Sequence, residues 1–224
     1  MQNALARSLN LPPVRILNSY GCTKSFKFLT EKVGITTLVE SETKNGKKYS
    51  DIGLSQLALG GVTYGVNTPE WTAAYAIFGN GGMYYEPTFY SKITSNDGKE
   101  VYLEKKTEGV RAISEETAYI MNRMLKTAVD SSQGTGKAAK IDGLDVCGKT
   151  GTSQVRNISK TEREKGVLTN EELKWHMRNH GLFGGYAPLD NPKYVVCVVT
   201  EHSGSSSPAA RTAATVMREL LKRI

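Results

Sequence analysis

Cysteine is scarce in this sequence of 224 residues: it occurs only as Cys22, Cys147 and Cys197, without metal-type spacing. An odd number of cysteines at such distances indicates neither a disulfide framework nor a zinc site. Long apolar runs are missing as well, since no stretch approaches the ~18 residues of a membrane span. Met1 is followed by polar and small residues, so we expect no export signal or membrane anchor within the chain.

Basic stretches interleaved with aromatic residues are also lacking. Lysine and arginine outnumber the acidic residues 29 to 22, but the resulting net charge of +7 is scattered along the chain. Such an excess favours anionic surroundings, for example wall polymers, whereas the lack of an aromatic, basic stripe argues against nucleic acid as a partner. With 39% apolar and 23% charged residues, we expect residues 1–224 to fold as a single domain.

Hydrophobic periodicity predicts a mixed α/β fold. Thr68, Ser114 and Ser207 are predicted to cap helices that begin directly after them, and strands are predicted to cover residues 144–153, 182–186 and 194–200. The strands are adjacent in sequence, and helices precede and follow them, so helices should flank a common sheet. Residues 155–181, between the first two strands, are charge-dense and are interpreted as a surface insert.

Local signals give several weaker predictions. Residues 39–51 are polar and are predicted to form an exposed loop, while residues 84–103 are typical of a hairpin arm. Thr23 is a suitable residue to cap the helix that follows it. His176 and His180 have the spacing that places two imidazoles on one helical face, but the glutamate of an H-E-x-x-H zinc motif is absent. We therefore predict a solvated helix there and no metal site.

The strongest chemical signal is the run Lys149-Thr150-Gly151-Thr152 on a predicted strand. A strand edge offers both side chains and unpaired backbone N–H groups to an extended peptide. Lys149 supplies positive charge that suits a carboxylate, and Thr150 and Thr152 add hydroxyl donors to the same group. Gly151 leaves room for a substrate backbone against the strand. These residue types together predict a site for the carboxylate end of a peptide.

Ser8 and Asn10 lie far upstream, at a predicted junction between two helices. Pro12 follows them and separates the two helical patterns. Taken alone, both residues are more readily interpreted as helix caps. Together with the lysine run, however, they match in order and context the S-x-N and K-T-G motifs of active-serine penicillin-recognising proteins. The chain therefore resembles that family.

The resemblance is to high-molecular-weight penicillin-binding proteins and covers most of the chain. Residues 4–12, 57–66 and 73–78 resemble the bifunctional class A enzymes. From Gly148 onward, including residues 149–156 and 198–202, the sequence is more similar to the class B elongation transpeptidases. The two halves thus point to different subclasses.

This resemblance implies a partial transpeptidase/β-lactamase-like fold, with antiparallel strands flanked by helices and the first strands of the family sheet missing from this chain. It implies a serine-type D,D-transpeptidase that uses no metal or organic cofactor. The expected partners are peptidoglycan stem peptides, β-lactam antibiotics and proteins of a cell-wall synthesis complex. The expected location is the extracytoplasmic face of the bacterial plasma membrane.

Family precedent also assigns roles to the motif residues. Ser8 and Lys149 are the expected catalytic pair, which manages protons around the leaving amine. Asn10 is expected to hydrogen-bond the substrate amide, and Thr150, Gly151 and Thr152 complete the expected substrate-binding set. The backbone N–H at Thr152 is the family's position for the oxyanion hole.

The main departure from the family is the missing SxxK motif, whose serine is the acylated nucleophile. Ser41 and Lys44 fit the spacing, but they follow the S-x-N motif and lie in a polar stretch, so we interpret the match as a coincidence. The nucleophile is therefore expected before Met1, and this chain alone is expected to be inactive. Two alternatives stay open: a non-catalytic fragment that binds wall peptide or a partner, and a β-lactamase or D,D-carboxypeptidase.

Overall fold

The computed structural model describes residues 1–223. Helices dominate the first third of the chain, and the longest strands lie in its C-terminal part. The α-helices, in chain order, are α1 (Gln2–Ala6), α2 (Leu11–Tyr20), α3 (Cys22–Lys27), α4 (Leu54–Leu59), α5 (Thr68–Gly79), α6 (Glu115–Asp130), α7 (Lys160–Lys165) and α8 (Ser207–Leu221). A π-helical turn at Phe28–Lys32 continues α3, and 3₁₀ turns cover Lys137–Ala139 and Trp175–Met177. The strands are β1 (Glu42–Lys44), β2 (Lys47–Tyr49), β3 (Met83–Tyr84), β4 (Lys92–Thr94), β5 (Val101–Glu104), β6 (Val110–Arg111), β7 (Cys147–Ser153), β8 (His180–Ala187) and β9 (Tyr194–Thr200).

Three antiparallel strands, in the order β7, β8, β9, form the largest sheet. In its register, Lys149 of β7 is opposite Gly184 of β8, and Gly184 is opposite Cys197 of β9. The remaining strands form two-stranded pairs: β1 with β2, β3 with β6, and β4 with β5. The mixed α/β fold with antiparallel strands is therefore confirmed.

Two helical layers enclose the three-stranded sheet. Successive positions of a strand face opposite sides of the sheet, so Phe183 and Gly184 lie on opposite faces. Phe183 and Val196 belong to a buried cluster with Met217 of α8. On the other face, Tyr75 of α5 lies so close to Gly184 that a Cβ at this position would come within 2.8 Å of its ring. The sheet thus lies between α8 and α5, with β7 at one edge.

The predicted helices are confirmed where local capping signals are strong. Ser114 caps α6, since its Oγ accepts a hydrogen bond from the backbone N–H of Thr117 at 3.2 Å. Helix α8 is confirmed as an element, but Ser207 is its first residue and its N-cap is Ser206. Helix α5 begins at Thr68, but its cap is Asn67, whose Oδ1 accepts from the backbone N–H of Glu70 at 2.9 Å.

Two local predictions in the N-terminal half are wrong. Thr23 lies inside α3, whose N-cap is Gly21, so Thr23 does not cap this helix. Residues 39–51 are not a simple exposed loop: they contain the hairpin β1–β2, and Asp51 at their end is fully buried. Asp51 is buried because its carboxylate accepts hydrogen bonds from the backbone N–H groups of Val39 and Thr63, both at 2.8 Å.

The helix predicted around His176 and His180 is wrong as well. His176 lies in a short 3₁₀ turn, and His180 is the first residue of β8. The imidazole of His180 instead contacts the loop after β9, where its Nδ1 accepts from the backbone N–H of His202 at 2.9 Å. The hairpin arm predicted for residues 84–103 is confirmed by the pairing of β4 with β5.

Candidate active site

Strand β7 presents the lysine run at the edge of the sheet. Within residues 1–223, β7 pairs with β8 alone, so its other edge offers backbone groups that the sheet leaves unpaired. Gly148 directly precedes the run. The Phe183 ring lies against it, so a larger residue would not fit, because its Cβ would collide with the ring. The contact of the Phe183 ring with Gly148 therefore helps to fix the position of the β7 backbone next to Lys149.

Lys149 connects the two sequence motifs. Its Nζ donates to Ser8 Oγ at 2.9 Å, across a sequence separation of 141 residues. It also donates to the backbone oxygen of Thr150 at 2.9 Å. Burial removes water from the ammonium group, which lowers the pKa of Lys149 to about 8. The lysine can therefore act either as a cation or as a proton carrier near neutral pH.

Ser8 is held in an unusual backbone conformation. Its φ is +56°, a left-handed conformation that is uncommon for residues other than glycine. Two backbone hydrogen bonds support it: Ser8 N–H donates to Leu5 O at 3.0 Å, and Leu9 N–H donates to Ala4 O at 2.9 Å. Left-handed conformations of this kind concentrate at functional sites. The turn after α1 therefore directs the Ser8 hydroxyl toward Lys149.

Thr150 and Thr135 form a pair of hydroxyl groups beside the lysine. Thr150 is only 8% exposed, and its Oγ1 donates to Thr135 Oγ1 at 2.7 Å. Lys149 Nζ lies 3.3 Å from Thr150 Oγ1 and 3.4 Å from Thr135 Oγ1. From sequence alone Thr135 had no expected role beyond a turn, and the one signal that could have drawn attention to it is its place between two glycines.

The other predicted binding residues are accessible from solvent to different degrees. Thr152 is exposed and Gly151 is half-buried. A Cβ built at Gly151 would meet no atom closer than 3.4 Å, so the packing of the described residues does not itself require glycine here. Asn10 is exposed at the N-cap position of α2, where its side chain makes no capping hydrogen bond. Its proposed contact with a substrate amide stays a prediction.

The remaining candidates lie outside this cluster. Lys44 of the SxxK-like match is in the hairpin β1–β2, with its Nζ 5.8 Å from the ring centre of Tyr64. Across residues 1–223, no three His, Cys, Asp or Glu side chains are grouped so that they could hold a metal ion. In the same part of the chain, no helix combines the length and apolar character that a membrane span requires.

Known proteins are similar to this chain along nearly all of its length. A family model described as the penicillin binding protein transpeptidase domain matches residues 1–222. Penicillin-binding protein 1A of Streptococcus pneumoniae is 33% identical over 228 residues, which is 99% of this chain and 28% of the relative. Penicillin-binding protein 1A/1B of Bacillus subtilis is 29% identical over the whole chain, which corresponds to 22% of its own length. The chain thus spans less than a third of either relative.

Solved structures have the same fold. The D,D-transpeptidase domain of a peptidoglycan glycosyltransferase from Eggerthella lenta is similar with a TM-score of 0.70 and 20% identity, over 99% of this chain and 53% of that one. Penicillin-binding protein 3 of Mycobacterium tuberculosis, complexed with aztreonam, has a TM-score of 0.69 at 20% identity, over 99% and 51%. This chain therefore belongs to the penicillin-binding protein transpeptidase domain family and contains part of that domain.

Proposed function

We propose that this chain forms the carboxylate-recognition side of a peptidoglycan D,D-transpeptidase site, which takes the D-Ala-D-Ala end of stem peptides. The observation that carries the proposal is the 2.9 Å hydrogen bond from Lys149 Nζ to Ser8 Oγ. It joins the K-T-G and S-x-N motifs on one edge of the sheet. A chance tripeptide would not be expected to meet the second motif in this way.

The cluster offers the groups that a terminal carboxylate needs. Lys149 supplies the positive charge, and a charge-assisted hydrogen bond is stronger than a neutral one. The exposed hydroxyl of Thr152 lies further along the same strand, where an extended peptide could align by β-strand addition. Gly151 lies between them and presents no side chain to the peptide backbone.

In the family's reaction, a nucleophilic serine attacks the penultimate D-Ala carbonyl carbon, and the C–N bond to the terminal D-Ala breaks. The departing amine needs a proton. The Ser8 hydroxyl can donate its proton to that amine and regain one from the Lys149 ammonium. A lysine with a pKa of about 8 suits such a role, because proton transfer is most effective when the pKa lies near the working pH.

No residue of this chain is assigned as the acylated nucleophile. Ser41 and Lys44 have the SxxK spacing, but Lys44 is exposed on the hairpin β1–β2. We therefore propose that the chain by itself binds ligand without forming an acyl-enzyme. The same observation favours a second candidate function, a non-catalytic segment that binds wall peptide.

Membership of the family supports proposals about partners and location. Solved relatives include penicillin-binding protein 3 of M. tuberculosis with ampicillin and penicillin-binding protein A of M. tuberculosis as an imipenem acyl-enzyme. We propose that β-lactams, which imitate D-Ala-D-Ala, occupy the same edge of β7 here. We also propose that the chain acts on the extracytoplasmic face of the plasma membrane, within a larger cell-wall synthesis complex.

Binding of diacetyl-Lys-D-Ala-D-Ala, measured by titration calorimetry, tests this function. We expect Lys149→Ala to weaken binding at least tenfold, because it removes the only cation hydrogen-bonded to Ser8 among residues 1–223. His176→Ala, an exposed position in the 3₁₀ turn, is the matched control and should bind like the unchanged chain. Equal affinity of Lys149→Ala and the control would contradict the proposal.

Intact-mass measurement after incubation with a fluorescent penicillin separates binding from acylation. We expect no covalent adduct on this chain, although the penicillin should compete with the peptide. An adduct that disappears in Ser8→Ala would show that Ser8 is a nucleophile rather than a proton relay.

A further inference from the structure

The turn at residues 134–136 connects the two halves of the candidate active site. Gly136 N–H donates to Ala128 O at 2.9 Å, which anchors the turn to the C-terminal part of α6. Gly134 packs against the same carbonyl group, where a Cβ would collide with it. Thr135 N–H donates to Ala6 O at 3.0 Å, two residues before Ser8. Backbone contacts on both sides therefore fix the position of Thr135.

The Thr135 hydroxyl lies where the side chains of β7 converge. Its oxygen accepts from Thr150 Oγ1 at 2.7 Å and from Lys149 Nζ at 3.4 Å. A threonine hydroxyl has one hydrogen and two lone pairs. Thr150 therefore uses its single hydrogen on Thr135, and both lone pairs of Thr135 are occupied. Among residues 1–223, the Thr135 hydroxyl donates to no acceptor, so its own hydrogen is available to a ligand.

This arrangement makes the hydroxyl of Thr135, and not that of Thr150, the one that can donate to a ligand. As long as Thr150 donates to Thr135, its O–H cannot also donate to a carboxylate. Thr150 is in addition buried, whereas Thr135 is exposed. Positive charge on Lys149 polarises the hydroxyl chain that starts at Thr150, which makes the last hydrogen of the chain a better donor.

We propose that Thr135 is a positioning residue of this site: by accepting from Lys149 and Thr150, it fixes the directions in which both groups meet a ligand. Its importance for ligand recognition rests on the proposed function, whereas the hydrogen-bond arrangement can be tested without any ligand. The Lys149 ammonium has three hydrogens, of which one bonds Ser8 and one bonds the Thr150 carbonyl. The third is shared between the hydroxyls of Thr150 and Thr135.

The first experiment follows the protonation of Lys149 by NMR in the chain labelled with ¹³C-lysine. The Lys149 signal is identified by its loss in Lys149→Arg. Thr135→Val removes an acceptor of the ammonium while it keeps the side-chain shape. We expect its midpoint to fall by about 0.5 pH unit relative to the unchanged chain, as for loss of part of a charge-assisted hydrogen bond. Thr135→Ser retains the hydroxyl and should titrate like the unchanged chain.

The controls separate loss of the hydroxyl from loss of the fold. Thr215→Val removes another exposed threonine hydroxyl, which donates to Arg211 O at 3.1 Å on α8, and should leave the Lys149 midpoint unchanged. Backbone amide spectra show whether each variant is folded. If Thr135→Val does not fold, Thr135→Ala removes the hydroxyl without the branched methyl groups and is titrated instead. An unchanged midpoint in a folded variant without the hydroxyl, or an equal shift in Thr135→Ser, would overturn the proposal.

The second experiment measures the peptide affinity of the same variants. We expect Thr135→Val to bind diacetyl-Lys-D-Ala-D-Ala about three- to tenfold more weakly, the effect of losing one oriented hydrogen bond, and Thr135→Ser to restore binding. If the unchanged chain binds no peptide but the Lys149 midpoint still shifts, the proposed function fails and the positioning role stands. If the chain binds peptide and Thr135→Val neither shifts the midpoint nor weakens binding, only the positioning role fails.

Discussion

Raising the pH from 7 to 9 should remove the positive charge of Lys149 and with it most of the affinity for a peptide carboxylate. Burial lowers the pKa of Lys149 to about 8, whereas the ligand carboxylate stays ionised throughout this range. The protonated fraction of a group with this pKa falls from about nine tenths to about one tenth, so affinity should fall about tenfold, or about 1.4 kcal/mol.

Calorimetric titration with diacetyl-Lys-D-Ala-D-Ala at half-unit pH intervals measures this change. Neighbouring thiols should not interfere, because burial raises the pKa of Cys147 to about 12 and that of Cys197 to about 11. Lys149→Arg is the control, since a guanidinium keeps its charge at these pH values. Its absolute affinity can be lower than that of lysine, but it should not depend on pH.

Two outcomes would refute this reasoning. Constant affinity from pH 7 to 9 in the unchanged chain would show that the charge of Lys149 does not contribute to binding. A tenfold loss in Lys149→Arg as well would assign the titration to a different group. A loss of affinity in the unchanged chain, but not in Lys149→Arg, would connect the burial of the Lys149 ammonium directly to ligand recognition.

Two further predictions concern stability. The folded-state pKa of Lys149 lies below the unfolded value of 10.5, so its contribution to the free energy of unfolding should rise between pH 8 and 10.5 by about 1 kcal/mol after allowance for solvent screening. Cys147 and Cys197 act in the opposite direction, because burial raises the pKa of both thiols, so the Lys149 contribution is measured as a difference between two chains that share them. Urea denaturation should show the stability of the unchanged chain rising by this amount relative to that of Lys149→Met, and a constant difference between the two would contradict the prediction. Asp51→Ala should cost about 2–4 kcal/mol, because it removes a fully buried carboxylate and leaves the partly buried N–H groups of Val39 and Thr63 without an acceptor. The exposed Asp142→Ala should change urea stability by less than about 0.5 kcal/mol, and an equal cost in both aspartate variants would contradict this reasoning.

Sequence patterns predicted the elements whose signals are local. Strand β9 was predicted with its observed bounds, 194–200, because a continuous β-branched run has few alternative structures. The loop prediction for residues 39–51 failed because a polar sequence does not reveal a buried carboxylate. The partners of Asp51 are backbone groups 12 residues away in each direction, and only the folded chain brings them together.

The same distinction applies to the candidate site. Lys149 and Ser8 were identified because each belongs to a short motif with a recognisable order. Thr135 was missed because its role depends on contacts with Ala6 and β7 that no local pattern encodes. The spacing of His176 and His180 suggested one helical face only on the assumption of a helix, and tertiary contacts of His180 with the loop after β9 replaced that helix.

Two features of the site are unfavourable on their own: the left-handed backbone of Ser8 and the desolvated ammonium of Lys149. The left-handed conformation of Ser8 costs about 1–3 kcal/mol, and the desolvated Lys149 ammonium adds a further cost below its pKa. The turn after α1 supports Ser8 through backbone hydrogen bonds to Ala4 and Leu5. Strand β7 is supported from below, where Phe183 packs with Met217 of α8 and lies against Gly148. A densely packed core deforms little, so β7 keeps its place while its edge residues remain in conformations that are unfavourable on their own. This support explains how the chain can hold Lys149 and Ser8 within hydrogen-bond distance before any ligand arrives.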